Sequence, residues 1–388
     1  MTIPILFALS ATLHLFVGVR LVPHLSPAAG ALLSALLLVS AIAAPLGLIA
    51  RRAFRAPLAD RLGRLGLPFL GLFSSLFIGT LLRELVLLAG WLFAAALPDR
   101  VDLAWLESIT AAAVPALALA ATLLGFVNAQ RTPRIRTVEI AHAGLPAALD
   151  GFLIAQISDL HVGPTIRRRF VHRVVTAVNA LAPDVVAITG DLVDGPVAEL
   201  ADEVAPLAAL RAPDGVYFVS GNHEYYAGVH AWLAEVRRLG IRVLQNEHVV
   251  IEHGGARLVL AGVTDFNAGH FERSHRSDPD AALHGAPPDA AMKVLLAHQP
   301  RSAPAAARAG FDLQLSGHTH GGQFLPWNWF VRLQQPFTAG LHQLDRLRIY
   351  VSRGTGYWGP PKRFGAPSEI TRIRLLRRPG SDEQRPPR

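Results

Sequence analysis

Four apolar stretches fill the first third of the chain, over residues 3–19, 28–50, 67–97 and 104–126. Each approaches or exceeds the roughly 20 residues that a helix needs to cross a hydrocarbon core. One such stretch is compatible with a buried helix of a soluble protein, but four in succession predict a membrane-inserted region over residues 1–130. The first is short and has neither a basic leading segment nor a small-residue cleavage site, so it reads as a retained anchor. The 51% hydrophobic content is concentrated in this third, and the remainder has the composition of a soluble α/β protein. Cysteine is absent, which excludes a disulfide framework and thiolate metal sites.

Arginine placement sets the expected orientation. Arg51, Arg52, Arg55, Arg61 and Arg64 crowd the loop between the second and third stretches, and Arg131, Arg134 and Arg136 follow the fourth. Arg20 and Arg100, the latter near Asp99 and Asp102, lie on the other side. The excess of basic residues puts the five-arginine loop, the N-terminus and the downstream domain in the cytoplasm. Arg83 and Glu84 interrupt the third stretch and are read as marking a tilted or partly embedded segment rather than an intramembrane polar site. The net charge of +8 is spread beside apolar runs rather than gathered in one patch, so no stable nucleic acid partner is expected.

Residues 131–150 read as a linker, centred on Pro133, and a first strand; 151–376 form the soluble domain, and the polar, Pro-rich 377–388 a disordered tail. The runs FLIAQIS, DVVAIT, GVYFVS, ARLVLAGV, KVLLA and FDLQL are strand-like, and 170–181, 198–210 and 228–239 are helix-like. Such alternation predicts an α/β sheet with helices on its faces.

Five of the strand-like runs lead directly into metal-ligating residue types. Asp159 and His161 follow the first, Asp191 the second, Asn222, His223 and Glu224 the third, His298 the fifth, and His318 and His320 the sixth. Loops beyond the carboxyl ends of strands gather on one edge of an open sheet, so these side chains can meet despite their separation in sequence. Imidazole and carboxylate oxygen suit Mn, Fe or Zn, and without thiolate they disfavour a structural zinc knot. Seven ligands (all but His223 and Glu224) exceed one tetrahedral ion but suffice for two that share a carboxylate. Two metals about 3.5–4 Å apart can clamp a phosphate and bind a bridging hydroxide. In SGHTHGGQF, alternation places His318 and His320 at different ions, and glycine lets substrate or metal pass close to the main chain.

Asp-x-His, Gly-Asp, Gly-Asn-His-Glu, a lone His after a strand and Gly-His-x-His, in that order, resemble the calcineurin-like metallophosphoesterases over residues 150–355. The resemblance implies a four-layer αββα metallophosphoesterase sandwich, here preceded by a bundle of about four transmembrane helices, and a site for two divalent transition metal ions. It implies that Asp159, His161 and His320 hold one ion, that Asn222, His298 and His318 hold the other, and that Asp191 bridges them. His223 matches the non-ligand histidine that touches phosphate and helps protonate the leaving group. Glu224 would orient His223 or its loop. SDLHVG, GNHEYY, LAHQP and GHTHGGQ resemble a bacterial membrane-associated branch of this family. Relatives of that kind include UDP-2,3-diacylglucosamine pyrophosphatase-type enzymes of lipid A biosynthesis and animal transmembrane proteins that bear the domain.

The expected function is therefore a membrane-anchored metallophosphoesterase that hydrolyses a phosphodiester or pyrophosphate bond by metal-hydroxide attack. Its expected partners are the lipid bilayer and a phosphoester substrate, lipid-linked in the branch resemblance, and its expected location is a bacterial inner membrane. The alternatives are a non-enzymatic metal-binding scaffold or sensor, which binds metal without turnover, and a nuclease, whose cleavage would fall steeply with salt. Arg167, Arg168 and Arg169 read equally as an anion contact and as a solvated helix start. Trp327, Trp329, Phe330, Tyr225 and Tyr226 read as packing residues, and 352–356 as a loop near the site. The remaining histidines, His14, His230 and His275 among them, read as ordinary.

Overall fold

The structure, a computed structural model, describes residues 2–97 and 100–378. The chain divides into two units, Met1–Gln130 with Gly359–Phe364, and Arg131–Trp358 with Gly365–Arg388.

In the first unit the four apolar stretches are helices α1 (Ile3–Leu21), α2 (Pro27–Ala53), α3 (Leu58–Ala96) and α4 (Leu103–Gln130). All four are long and apolar enough to cross a membrane. Ser26 caps α2 by accepting the Ala29 N–H, and proline stands in the first turn, where its missing N–H costs nothing. Val17, Leu21, Leu33, Leu37, Phe73, Leu76, Ala111 and Val114 form the core of the bundle. A Cβ on Gly66 would stand 2.2 Å from the Ala43 carbonyl, so α2 and α3 meet through a small-residue contact.

Two features of this unit depart from expectation. Arg83 is 3% exposed. Its guanidinium donates to the Arg20 and Glu107 carbonyls and to Thr110 Oγ1, each at 3.1 Å, and contacts Glu84 Oε1 at 3.3 Å. It is therefore an internal polar node of the bundle. Carbonyls of α1 and α4 supply acceptors that the sequence of α3 alone does not contain. Lys362, distant in sequence, belongs to this unit too; its Nζ donates to the Gly71 carbonyl at 2.9 Å, to Thr122 Oγ1 at 3.1 Å and to Ser75 Oγ.

The second unit contains β1 (Arg134–Ala143), β2 (Leu153–Ile157), β3 (Val185–Thr189), β4 (Val216–Val219), β5 (Arg242–Val243) and β6 (Glu247–His253). It continues with β7 (Ala256–Gly262), β8 (Met292–Leu296), β9 (Leu313–Ser316), β10 (Gly340–Leu344), β11 (Leu347–Val351) and β12 (Glu369–Arg378). Among the described residues these form two six-stranded sheets, ordered β1-β12-β2-β3-β4-β5 and β10-β11-β9-β8-β7-β6. The sheets share a core in which Ile154, Val185, Ala187 and Val219 of the first meet Leu258, Leu260, Val294, Leu296 and Leu315 of the second. The opposite face of the second sheet packs Leu295, Ile349 and Val351 on Ala303 and Ala306 of the helix Ala303–Ala309. The first sheet is joined by α5 (Arg168–Asn179), α6 (Val197–Val204), α7 (Asn222–Ala227) and α8 (Val229–Arg238). This is the αββα sandwich.

The six strand-like runs are β2, β3, β4, β7, β8 and β9. Strands β2, β3, β8 and β9 are almost wholly buried, and strands covered on both faces read as continuous apolar runs. The linker ends earlier than expected, because Arg134 and Arg136 already lie in β1. Similarly, Arg377 and Arg378 are strand rather than tail, since β1 and β12 pair in parallel from Arg134↔Glu369 to Ala143↔Arg378. Arginines on the exposed positions of ITRIRLLRR obscure its alternation. The rest of the expected tail, 379–388, lies outside the described residues.

Candidate metal centre

Strands β2, β3 and β4 run parallel in one sheet, and β7, β8 and β9 in the other. Their carboxyl ends therefore open on common edges. Gln156, wholly buried, bonds the two sheets there by donating to Thr189 Oγ1 at 2.9 Å and to the Ser316 carbonyl at 3.0 Å.

The loops beyond these ends bring six of the expected ligands into two clusters. Donor atoms of Asp159, His161 and His320 lie within 4.8 Å of one another, as do those of Asp191, His298 and His318. His161 Nε2 faces His320 Nε2 at 3.0 Å, and His298 Nε2 faces His318 Nδ1 at 3.1 Å. Asp191 Oδ2 lies 3.1 Å from His298 Nε2 and 3.8 Å from His161 Nε2, so one carboxylate oxygen reaches toward both clusters. Asn222 is 7% exposed, and its Oδ1 is buried without a hydrogen-bond donor. An acceptor left this way costs free energy unless something positive meets it.

The donor set suits divalent metals, and the outer nitrogens of two of the rings are occupied. His298 Nδ1 lies 2.8 Å from the Thr189 carbonyl and His161 Nδ1 lies 2.8 Å from Asp194 Oδ1. In the neutral rings those contacts hold the Nδ1 protons and leave each Nε2 facing inward as an acceptor, the arrangement typical of metal-ligating histidine. Asp159 accepts the His318 N–H on both oxygens, at 2.9 and 3.1 Å.

The backbone is bent to achieve this. Asp159, His161, Asp191, His318 and His320 all have positive φ, between 51° and 69°. Non-glycine residues in this region store strain, and such residues gather at functional sites. Glycine acts differently from the sequence-based expectation. A Cβ on Gly317 would stand 2.2 Å from Asp159 Oδ2, and one on Gly221 2.2 Å from Asp191 Oδ1. At these two glycines it is the carboxylates of Asp159 and Asp191 that come close to the main chain.

His223 stands beside the clusters, with Nδ1 2.7 Å from Asp194 Oδ1 and Nε2 3.9 Å from Asp191 Oδ2. Burial works against its charged form, but Asp191 and Asp194 outweigh burial and raise it to about 9. Burial likewise opposes the ionised form of Asp191, but the neighbouring His298 and His223 hold it well below the usual carboxylate range. Burial and then the charge of Asp191 push Glu224 up to about 8. Glu224 clasps the loops together, accepting the N–H groups of Gly221, Asp191 and Leu192 at 2.6, 3.1 and 2.7 Å. It orients the loop, and His223 is oriented by Asp194.

Asp194 is the residue that sequence reasoning missed. It lies three positions after Asp191 in GDLVDG and resembles any loop aspartate. The loop 352–356 does reach the site, since Thr355 and Gly356 donate to the Ser158 and Asp159 carbonyls at 2.7 and 3.0 Å. Arg167 pairs with Glu203 at 2.8 Å and Arg168 donates to the Asp202 carbonyl at 2.6 Å, which makes them a paired helix start. Tyr225 is packed, but Tyr226, Trp327, Trp329 and Phe330 are exposed. The ring of Tyr226 stands 5.3 Å from that of His223, and the ring of Trp358 5.9 Å.

Comparison with known proteins agrees with this geometry. The model of the calcineurin-like phosphoesterase family matches residues 152–322. A Bos taurus protein described as a transmembrane protein with metallophosphoesterase domain is 42% identical over 281 residues, spanning 68% of this chain and 63% of its own. An uncharacterized metallophosphoesterase of Aquifex aeolicus is 35% identical over 57% of this chain and 84% of its own length. One from Bacillus subtilis is 31% identical over 64% and 87%. The chain spans less than two thirds of the vertebrate proteins it matches. With the ordered motifs, the convergent ligand types and relatives aligned over most of their length, the chain belongs to the calcineurin-like phosphoesterase family.

Proposed function

We propose that the protein is a membrane-anchored, two-metal phosphoesterase that hydrolyses a phosphodiester or pyrophosphate bond. The observation that carries this reading is the pair of inward-facing imidazole couples, His161 with His320 and His298 with His318, with Asp191 Oδ2 between them. Asp159, His161 and His320 would hold one ion, Asn222, His298 and His318 the other, and Asp191 both. Such a pair supplies charge neutralisation on phosphate and a water nucleophile at neutral pH.

The chain's own residues then have defined tasks. His223, kept protonated by Asp191 and Asp194, donates from Nε2 to a phosphate oxygen or to the departing oxygen. Asp194 fixes the rings of both His161 and His223. Glu224 holds the loops of Asp191 and Gly221 in register. Tyr226 and Trp358 flank His223, and their exposed rings can pack on an apolar or planar group of a substrate.

Helices α1–α4 anchor the domain, and the five arginines at the C-terminal end of α2, in the following loop and at the start of α3 support a cytoplasmic placement. None of the relatives' descriptions names a lipid-linked substrate. UDP-2,3-diacylglucosamine accordingly enters as one member of a phosphoester panel. Full-length protein loaded with manganese, zinc or iron should hydrolyse bis-p-nitrophenyl phosphate, and mass spectrometry of panel products identifies the bond cleaved. Metal bound without turnover on any member would favour the scaffold reading, and undiminished activity after chelation would exclude the proposal.

A further inference from the structure

The described residues hold another group of metal-ligating side chains, on the outside of the second unit. His230 lies in α8, and Glu272 and His275 follow the short helix Ala268–Phe271. Their donor atoms lie within 4.8 Å of one another. Glu272 Oε2 is 2.9 Å from His230 Nε2, and Oε1 is 3.7 Å from His275 Nε2. Tetrahedral bonds of about 2.1 Å to zinc place donor atoms roughly 3.4 Å apart, and each imidazole lies near that distance from one of the two Glu272 oxygens.

The group is braced from behind. His275 Nδ1 lies 3.0 Å from the Tyr225 hydroxyl, which leaves Nε2 to face Glu272, and its carbonyl accepts from Thr264 Oγ1 at 2.7 Å. The Ser274 hydroxyl donates to Glu272 Oε1 at 2.8 Å. Outer partners of this kind fix the tautomer and direction of metal-binding side chains. A surface ion pair contributes little and needs one imidazole, whereas here two converge on one carboxylate.

We propose that His230, Glu272 and His275 form a third divalent-metal site, separate from the centre around Asp191. Two imidazole nitrogens and a carboxylate suit a borderline ion such as zinc, and the exposure of His230 leaves the remaining coordination to water. Tyr225 lies on α7 with Asn222 and His223. An ion at the outer site therefore braces, through Tyr225, the helix that carries two residues of the centre.

The test uses full-length protein in detergent, stripped with a chelator and titrated with zinc chloride alone, with bound zinc counted by plasma mass spectrometry after desalting. His230→Ala/His275→Gln should bind one equivalent fewer than wild type. Asp191→Asn/His298→Ala should still retain an equivalent that is lost when the outer substitutions are added. That second arm is independent of any activity. Equal zinc content in wild type and His230→Ala/His275→Gln, or no zinc retained by Asp191→Asn/His298→Ala, overturns the proposal. Should either double variant lose its unfolding transition, Glu272→Gln decides: zinc affinity at the outer equivalent must weaken by at least about tenfold, and unchanged affinity overturns the site.

Discussion

His161 Nε2 faces His320 Nε2 at 3.0 Å. His161 is held from behind by Asp194, and His320 lies on a left-handed backbone with Asp159 Oδ1 3.5 Å from the same Nε2. Two ring nitrogens at that distance need a proton or a metal cation between them, and with Asp159 beside them the three donors suit a metal. His320→Ala should therefore release about one equivalent of metal and lower kcat by at least about 100-fold. Metal content and turnover measured together check this; full metal content with full turnover would remove His320 from the site.

Asp194 touches neither couple's inner face, yet it grips both His161 and His223. Asp194→Asn keeps the shape and removes the charge. It should lower metal affinity or kcat by about 10–100-fold with little change in fold. Isothermal titration with manganese, followed by steady-state kinetics, separates the two effects.

His223 in the metal-free protein should titrate near pH 9, and Asp194→Asn should move that titration downward, because the carboxylate hydrogen-bonded to its Nδ1 is lost. Imidazole NMR resonances give the value directly. The folded pKa exceeds the unfolded one of about 6.5, so the stabilisation is fully present below about pH 6.5 and is lost as pH rises through about 9. Thermal unfolding of metal-free protein between pH 6 and 10 should reflect that loss in wild type and not in His223→Ala.

Gly317→Ala places a methyl group 1.9 Å from Ser158 Oγ and 2.2 Å from Asp159 Oδ2. The Asp159 carboxylate must then move away from the His318 N–H it now accepts. The substitution should destabilise the domain by about 1–3 kcal/mol and reduce metal content. Denaturant unfolding with metal analysis tests both parts, and an unaffected protein would contradict the packing described.

In the helical unit, Arg83→Met removes the donor that satisfies the Arg20 and Glu107 carbonyls and Thr110. A hydrogen bond from a charged donor contributes about 1.5–3 kcal/mol, and the Glu107 carbonyl keeps a contact with Thr110 Oγ1 at 3.3 Å. Thermal denaturation in detergent should show a clear loss of stability, while the zinc content of the second unit stays at the wild-type value.

Local composition made the helices and inner strands legible. Apolar runs long enough to span a bilayer admit few other folds, and VVAIT or KVLL can satisfy a strand buried on both faces. β12 was hidden because its outward positions carry arginine, and its partner β1 lies more than two hundred residues away. Among the candidate site residues, Asp159, His161, Asp191, Asn222, His298, His318 and His320 were visible because each follows the carboxyl end of a strand.

What the chain alone could establish was which residue types stand at the strand ends, since covalent order fixes that. Which nitrogen points inward, that Gly221 and Gly317 make room for carboxylates, that Asp194 serves two histidines, and that His230 meets His275 were decided by the tertiary structure. Those relations depend on backbone twist and on contacts between loops from separate strands, and distances across a fold are not encoded in spacing along the chain.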